Sequence, residues 1–160
     1  MENEGASNNE RLLAAAKSNN EDMLLEVFDE PGTFNVNYQD GLGNTALHYA
    51  VSHHSDIVLE HLLCHEECDV DPINRLEKAT PLHLAVKIED PEVRAHFVES
   101  LLDAGANDMI RNRYGQTAYD LVASDDEATL SAFRICRANK DIDEDDIAYE
   151  DEDDVADDSD

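Results

Sequence analysis

The chain has 160 residues, of which 41% are hydrophobic and only 6% aromatic, and this length suits a single domain. It contains 39 acidic and 11 basic residues, so its formal net charge is −28. Nucleic-acid phosphates and anionic lipid headgroups repel a chain of this sign. We therefore expect no direct binding to nucleic acid and no membrane association, and a basic protein is the natural electrostatic complement.

Three features of the sequence indicate a soluble intracellular protein. Residues 1–8 are acidic and polar, which predicts a flexible N-terminus and no signal or transit peptide. No apolar run approaches the ~20 residues that span a bilayer. The odd number of cysteines predicts reduced thiols in a reducing compartment. We expect a monomer in the cytoplasm, the nucleus or both.

A six-residue pattern recurs along the chain. The segment 45–50 reads TALHYA, 80–85 reads TPLHLA, and 117–122 reads TAYDLV, so the steps are 35 and 37 residues. A second block follows the first two copies, with paired apolar residues at 57–63 and 97–102 and the tripeptide GAN at 105–107. Each threonine suits the N-cap of a helix, where its hydroxyl accepts a hydrogen bond from an unpaired backbone N–H.

These residues resemble the ankyrin repeat, which has a period of about 33 residues and the signature T-P-L-H-x-A. The resemblance covers residues 9–138. It implies an all-α fold, an ankyrin-repeat solenoid of about four helix-turn-helix units with β-hairpin loops. The expected units are 9–40, 41–74, 75–112 and 113–138. Their helix pairs are expected at 9–29, 45–65, 80–103 and 117–138, with the first and last pairs acting as caps of the solenoid.

Three local features depart from a regular repeat. Extra residues near 64–71 and 87–96 predict longer loops, and such insertions often lie on the binding face. Lys78 stands where the turn glycine is expected, which predicts an irregular hairpin. The segment 124–127, SDDE, predicts a capping box at the start of the last helix, with Ser124 as the N-cap.

The resemblance also implies where a partner binds, because ankyrin ligands usually lie along the concave face, against the hairpin tips and inner helices. Carried over by register, the predicted protein-binding residues are Leu42, Asn44, His53, Leu76, Glu77, Lys87, Ile88, Tyr114 and Gln116. Exposed apolar side chains on one surface are typical of binding hot spots. We expect four of these side chains to face solvent, although the two leucines could instead pack on the adjacent hairpin: Leu42, Leu76, Ile88 and Tyr114.

Candidate chemical groups are few. The signature histidines, His48 and His83, are implied by the resemblance to hydrogen-bond one turn to the next, and no nucleophile stands at a recognisable spacing from them. We therefore predict no enzyme activity. Four residues near the end of the second helix pair are of types that ligate zinc: His61, Cys64, His65 and Cys68. An inserted loop begins at this point, which argues against a continuous helix through all four. We predict neither a metal site nor a cofactor.

The final segment, 139–160, is predicted to be a disordered acidic tail, since its last twenty residues hold 13 acidic side chains and no Lys or Arg. Such a tail either keeps the protein soluble or grips a basic partner. The chain resembles small acidic-tailed ankyrin proteins that escort ribosomal proteins or histones. We therefore predict a non-catalytic interaction module that acts as an escort or chaperone for such a basic client. The alternative is an adaptor or inhibitory subunit that uses the concave face, with the tail only aiding solubility.

Overall fold

A computed structural model of the chain describes the backbone of residues 7–153 and the side chains of residues 7–141. Over the described range the chain forms seven α-helices and one short 3-10 turn at Tyr119–Leu121. The helices are α1 (Asn8–Ser18), α2 (Glu21–Phe28), α3 (Ala46–Ser52), α4 (Asp56–Cys64), α5 (Pro81–Ala85), α6 (Pro91–Asp103) and α7 (Glu127–Asp153).

The helices stack in two layers. Helices α1, α3 and α5 pack side by side, and each packs on the helix that follows it in the chain. Helices α2, α4, α6 and α7 form the second layer, in which α6 and α7 make the most extensive contact. This is the predicted helical solenoid. None of the described helices is both long and apolar enough to cross a membrane.

The core lies between the two layers. The first layer contributes many alanines, whose small side chains allow neighbouring helices to approach closely, and the second layer contributes larger apolar residues. The first helix pair contributes six buried apolar side chains: Leu12, Leu13, Ala15, Ala16, Leu24 and Val27. Phe97 and Phe133 fill the core further along the stack.

The threonines of the repeated pattern cap their helices as the sequence predicts. The hydroxyls of Thr45 and Thr80 accept hydrogen bonds from the backbone N–H groups of His48 and His83, at 3.4 and 3.3 Å. In the reverse direction, Nδ1 of each histidine accepts a hydrogen bond from the backbone N–H of its threonine, at 3.1 Å. Two orphan N–H groups are therefore satisfied at the start of each helix. Asp90 caps α6 in a related way.

The predicted β-hairpins are not present as strands. Within residues 7–153 no residue is in a β-strand, and the loops between repeats are short turns. In the first of them the N–H of Gly43 donates to the carbonyl of Asp40 at 2.8 Å, and the N–H of Asp40 donates to the carbonyl of Asn44 at 3.0 Å. These bonds close a single turn of five residues, which is too short to form a ladder between two strands.

The fourth unit is less regular than predicted, because its first helix is reduced to the 3-10 turn. The expected capping box at 124–127 is also wrong in its N-cap residue. The Oδ1 of Asp126, not Ser124, accepts from the N–H of Thr129 at 3.3 Å, and the other oxygen accepts from Nε of Arg94 at 2.7 Å. Asp126 therefore caps α7 and pairs with α6 at the same time, whereas Ser124 is exposed.

The last helix also continues beyond the expected end of the repeats. Helix α7 runs to Asp153, so the segment 139–153, which we expected to be disordered, is helical. Residues 127–153 contain neither Gly nor Pro, the residues that most often end a helix. The remainder of the predicted tail, 154–160, lies outside the described residues.

Candidate protein-binding surface

The three turns between repeats, which we call the tips, are built alike. Each begins with an Asp or Asn whose side-chain oxygen accepts two backbone N–H groups of the same turn, an arrangement that these residues favour. In the first tip Oδ1 of Asp40 accepts from the N–H groups of Leu42 and Asn44, both at 3.0 Å. Asn74 and Asn112 play this role in the other two tips. The tips span residues 40–44, 74–79 and 112–116.

Backbone hydrogen bonds join each tip to the next. The N–H of Arg75 donates to the carbonyl of Leu42 at 2.9 Å, and the N–H of Arg113 donates to the carbonyl of Glu77 at 2.7 Å. The side chain of Asn74 also donates to that of Asn44, at 3.1 Å. The three tips therefore form one continuous surface, which we call the tip surface.

The signature histidines tie the helices to this surface. Nε2 of His48 donates to the carbonyl of Ala79, and Nε2 of His83 donates to the carbonyl of Gln116, both at 2.9 Å. Burial lowers the pKa of both imidazoles, so both are neutral at pH 7 and keep Nδ1 as an acceptor. With both ring nitrogens bonded to the backbone, each histidine has the structural role that the resemblance implies.

Three of the four predicted apolar residues project from equivalent positions of the tips. Leu42, Leu76 and Tyr114 each lie two residues after the Asp or Asn that opens the tip. Their exposed fractions are 59%, 67% and 66%. More than half of each side chain therefore faces solvent, so packing on an adjacent tip does not explain the two leucines. Their role in binding stays a prediction.

The fourth predicted apolar residue, Ile88, does not face solvent: it is only 5% exposed. Helix α5 ends at Ala85, and the chain then turns inward, with the N–H of Ile88 donating to the carbonyl of Ala85 at 3.2 Å. Nη1 of Arg94 donates to the carbonyl of Ile88 at 2.7 Å and fixes this turn. The inserted residues of the third unit therefore shift the register that we carried over, and Ile88 belongs to the core.

The predicted polar residues are divided between structural and exposed positions. Asn44 and Gln116 are half-buried and hold the tips together through the hydrogen bonds given above. Glu77 lies within the second tip, where its carboxylate pairs with Nζ of Lys87 at 3.6 Å. His53 is exposed at the end of α3.

The four candidate zinc ligands do not come together in one cluster. Helix α4 ends at Cys64, so the last turn that would align all four is absent. Nε2 of His61 lies 2.8 Å from a carboxylate oxygen of Glu21, and Nδ1 of His65 accepts from a backbone N–H. Burial raises the pKa of the Cys68 thiol to about 11, which disfavours the thiolate that metals bind. No cluster of three or more His, Cys, Asp and Glu suited to a metal occurs among the described residues.

The prediction from sequence missed the positive charge at the second and third tips. Four of the 11 basic residues lie within 74–79 and 111–116, and these two segments contain one acidic residue. These basic residues can be seen in the sequence, but they form one patch only because the two tips are adjacent in the fold. The basic residues are Arg75, Lys78, Arg111 and Arg113.

Comparison with known proteins agrees with this architecture. A family model described as ankyrin repeats (many copies) matches residues 12–63, and one described as ankyrin repeat matches residues 77–113. The ankyrin repeat-containing protein YGL242C of Saccharomyces cerevisiae is 38% identical over 136 residues, which cover 79% of this chain and 75% of that protein.

Two further relatives share shorter parts. The human ankyrin repeat and SOCS box protein 6 is 37% identical over 94 residues, 57% of this chain and 21% of that protein. A probable serine/threonine-protein kinase of Dictyostelium discoideum is 30% identical over 108 residues, 66% of this chain and 13% of that protein. Together with the capped, histidine-tied repeats, these matches show that the chain belongs to the ankyrin-repeat family, whose repeats serve as protein–protein interaction modules and are generally non-catalytic.

Proposed function

We propose that this protein is a non-catalytic adaptor that binds a partner protein through its tip surface. One observation carries the proposal: Leu42, Leu76 and Tyr114 occupy equivalent turn positions, and each is more than half exposed. Apolar and aromatic side chains gathered on one surface are the usual material of a hot spot.

The backbone beneath these side chains supports the same proposal. Hydrogen bonds within each tip and between tips fix the spacing of the three residues. A surface that is already ordered loses little conformational entropy on binding, so more of the contact energy appears as affinity. The absence of catalysis is supported by His48 and His83, whose ring nitrogens are bonded to backbone groups and are not free to act as a general base.

An escort function for a basic client, such as a ribosomal protein or a histone, is the second candidate. The observation that favours it is the net charge of −28, with 13 of the 39 acidic residues in the last twenty positions. Exposed carboxylates on the second layer of helices add to this charge, among them those of α2 and α4. In this case the acidic residues would supply most of the affinity, and binding would weaken steeply as salt screens them.

Capture of partners from cell extract separates the two candidates. The baits are the full chain, the variant L76S/Y114S, and a full-length variant whose 13 acidic residues at 141–160 are changed to Asn or Gln. We expect one partner to be captured by the full chain and by the tail variant at about 0.15 M salt, and not by L76S/Y114S.

The matched control is I57S, since Ile57 is 45% exposed on α4, away from the tips. It should capture the partner as the unchanged chain does. If L76S/Y114S retains its partners, the tip surface is not the binding site. If the full chain captures basic proteins instead, and these are no longer captured by the tail variant or at higher salt, the escort function replaces the adaptor function.

A further inference from the structure

We infer that the second and third tips bind an acidic segment of the partner protein, one in which carboxylates are interspersed with apolar side chains. The inference rests on the proposed function and specifies the chemistry of the partner. It assigns the chain two oppositely charged regions. The cationic region consists of Arg75, Lys78, Arg111 and Arg113 around the apolar pair Leu76 and Tyr114.

The distribution of charge is the first support. The segments 74–79 and 111–116 hold four basic residues and one acidic residue, in a chain whose acidic residues outnumber its basic ones by 39 to 11. The one acidic residue, Glu77, is paired with Lys87 at 3.6 Å, so its charge is offset. The second and third tips are therefore a local exception to the charge of the molecule.

The second support is that three of these four cations, Arg75, Lys78 and Arg113, are not used to hold the fold. Elsewhere, basic side chains pair with carboxylates: Arg94 with Asp126 at 2.7 Å and Arg137 with Asp108 at 2.8 Å, each of which joins two elements of the structure. Among residues 7–141, no side chain pairs with Arg75, Lys78 or Arg113. Their charges are available to a ligand.

The third support is the arrangement of charge and apolar surface. Arg75 and Arg113 immediately precede Leu76 and Tyr114 at equivalent turn positions, and the bond from the N–H of Arg113 to the carbonyl of Glu77 sets their spacing. Nη1 of Arg111 donates to the carbonyl of Gly115 at 2.7 Å, which holds that guanidinium against the third tip. Guanidinium groups bind carboxylates in a bidentate manner. Leu76 and Tyr114 can contact the apolar side chains that lie between the carboxylates of the ligand.

The overall negative charge does not prevent this binding at physiological salt. Charges further away than about 8 Å are largely screened at 0.15 M ionic strength, whereas at 0.01 M the range is about 30 Å. An acidic ligand therefore responds mainly to the nearby tip cations under physiological conditions. A basic ligand would be repelled at this surface and attracted to the second layer of helices and the tail.

Fluorescence anisotropy with the full chain tests the inference. The probe is a labelled peptide of about 12 residues in which Glu alternates with Leu and Tyr, long enough at about 3.3 Å per residue to cross both tips. A second peptide carries Lys in place of Glu. At about 0.15 M salt we expect the Glu peptide to bind and R113E to weaken its binding about fivefold. The matched charge reversal R134E, on α7, should leave it unchanged.

Three results would overturn the inference. The first is that the Glu peptide binds R113E as tightly as it binds the unchanged chain, and the second is that it binds less tightly than the Lys peptide. The third is that it binds only after the 13 acidic residues of 141–160 are neutralised, which would show that this chain's own acidic segment, from the same molecule or a second copy, occupies the tips. If L76S/Y114S loses its partner in extract while R113E retains it, the proposed function stands and only the acidic character of the partner is refuted.

Discussion

Replacing Gly43 with alanine tests how closely the first two tips are joined. Gly43 has a φ of +81°, and a Cβ at this position would lie 2.7 Å from the backbone nitrogen and 2.8 Å from Cγ of Arg75. Ordinary contacts of a Cβ are 3.4–4 Å. The two tips would have to separate, and the hydrogen bond from the N–H of Arg75 to the carbonyl of Leu42 would be lost or lengthened.

The expected loss has two parts. The left-handed conformation costs a residue with a Cβ about 1–2 kcal/mol. Loss of the bond between the tips adds about 1 kcal/mol. We therefore expect G43A to lower the free energy of unfolding by about 2–3 kcal/mol, a large part of the 5–15 kcal/mol that is typical of a domain.

Gly115 provides the matched control. It has a φ of +75° in the third tip, but a Cβ there would meet nothing within 4 Å. G115A should therefore cost only the conformational part, about 1–2 kcal/mol. Urea unfolding, followed by circular dichroism, gives the free energy of unfolding for both variants. Equal losses for G43A and G115A would refute the close approach of the first two tips.

Two further predictions concern the elements that hold the stack together. Burial lowers the pKa of His48 and His83 in the folded state, so the unfolded chain binds protons first as the pH falls. The contribution of the two histidines to the free energy of unfolding should be complete above the ordinary histidine pKa of 6.5 and should fall as the pH is lowered from there. Urea unfolding between about pH 7.5 and 5 measures this fall, which should be smaller in H48Q. Replacing Asp126 with alanine removes both the cap of α7 and the ion pair with Arg94, and should lower the free energy of unfolding by about 2 kcal/mol. D126N keeps the cap and should lower it by less. Equal losses for the two variants would contradict this prediction.

The parts of the fold that depend on local chemistry follow from the sequence. A threonine three residues before a histidine closes a capping box by itself, so the starts of α3 and α5 can be read from the repeated pattern. Lys78, which stands where the turn glycine is expected, adopts the left-handed conformation that a glycine favours, with a φ of 53°. The apolar tip residues are predictable too, because the repeat fixes their register.

Long-range contacts decide what could not be predicted. The burial of Ile88 depends on a bond to Arg94 from the following helix. The choice of Asp126 over Ser124 as the cap of α7 depends on the same arginine, which binds the second carboxylate oxygen. The cationic patch arises only when tips that are distant in sequence become neighbours. In each case the determining partner lies outside the local pattern.

Site-specific photo-crosslinking tests most directly whether the tip surface binds the partner. A photoreactive phenylalanine derivative is placed at Tyr114, at Leu76 or, as the control, at Ile57 on α4, and each full-length variant is irradiated in cell extract. We predict that one partner is crosslinked from positions 114 and 76 and not from position 57. Crosslinking of partners from position 57, with none from the tips, would contradict the proposed adaptor function.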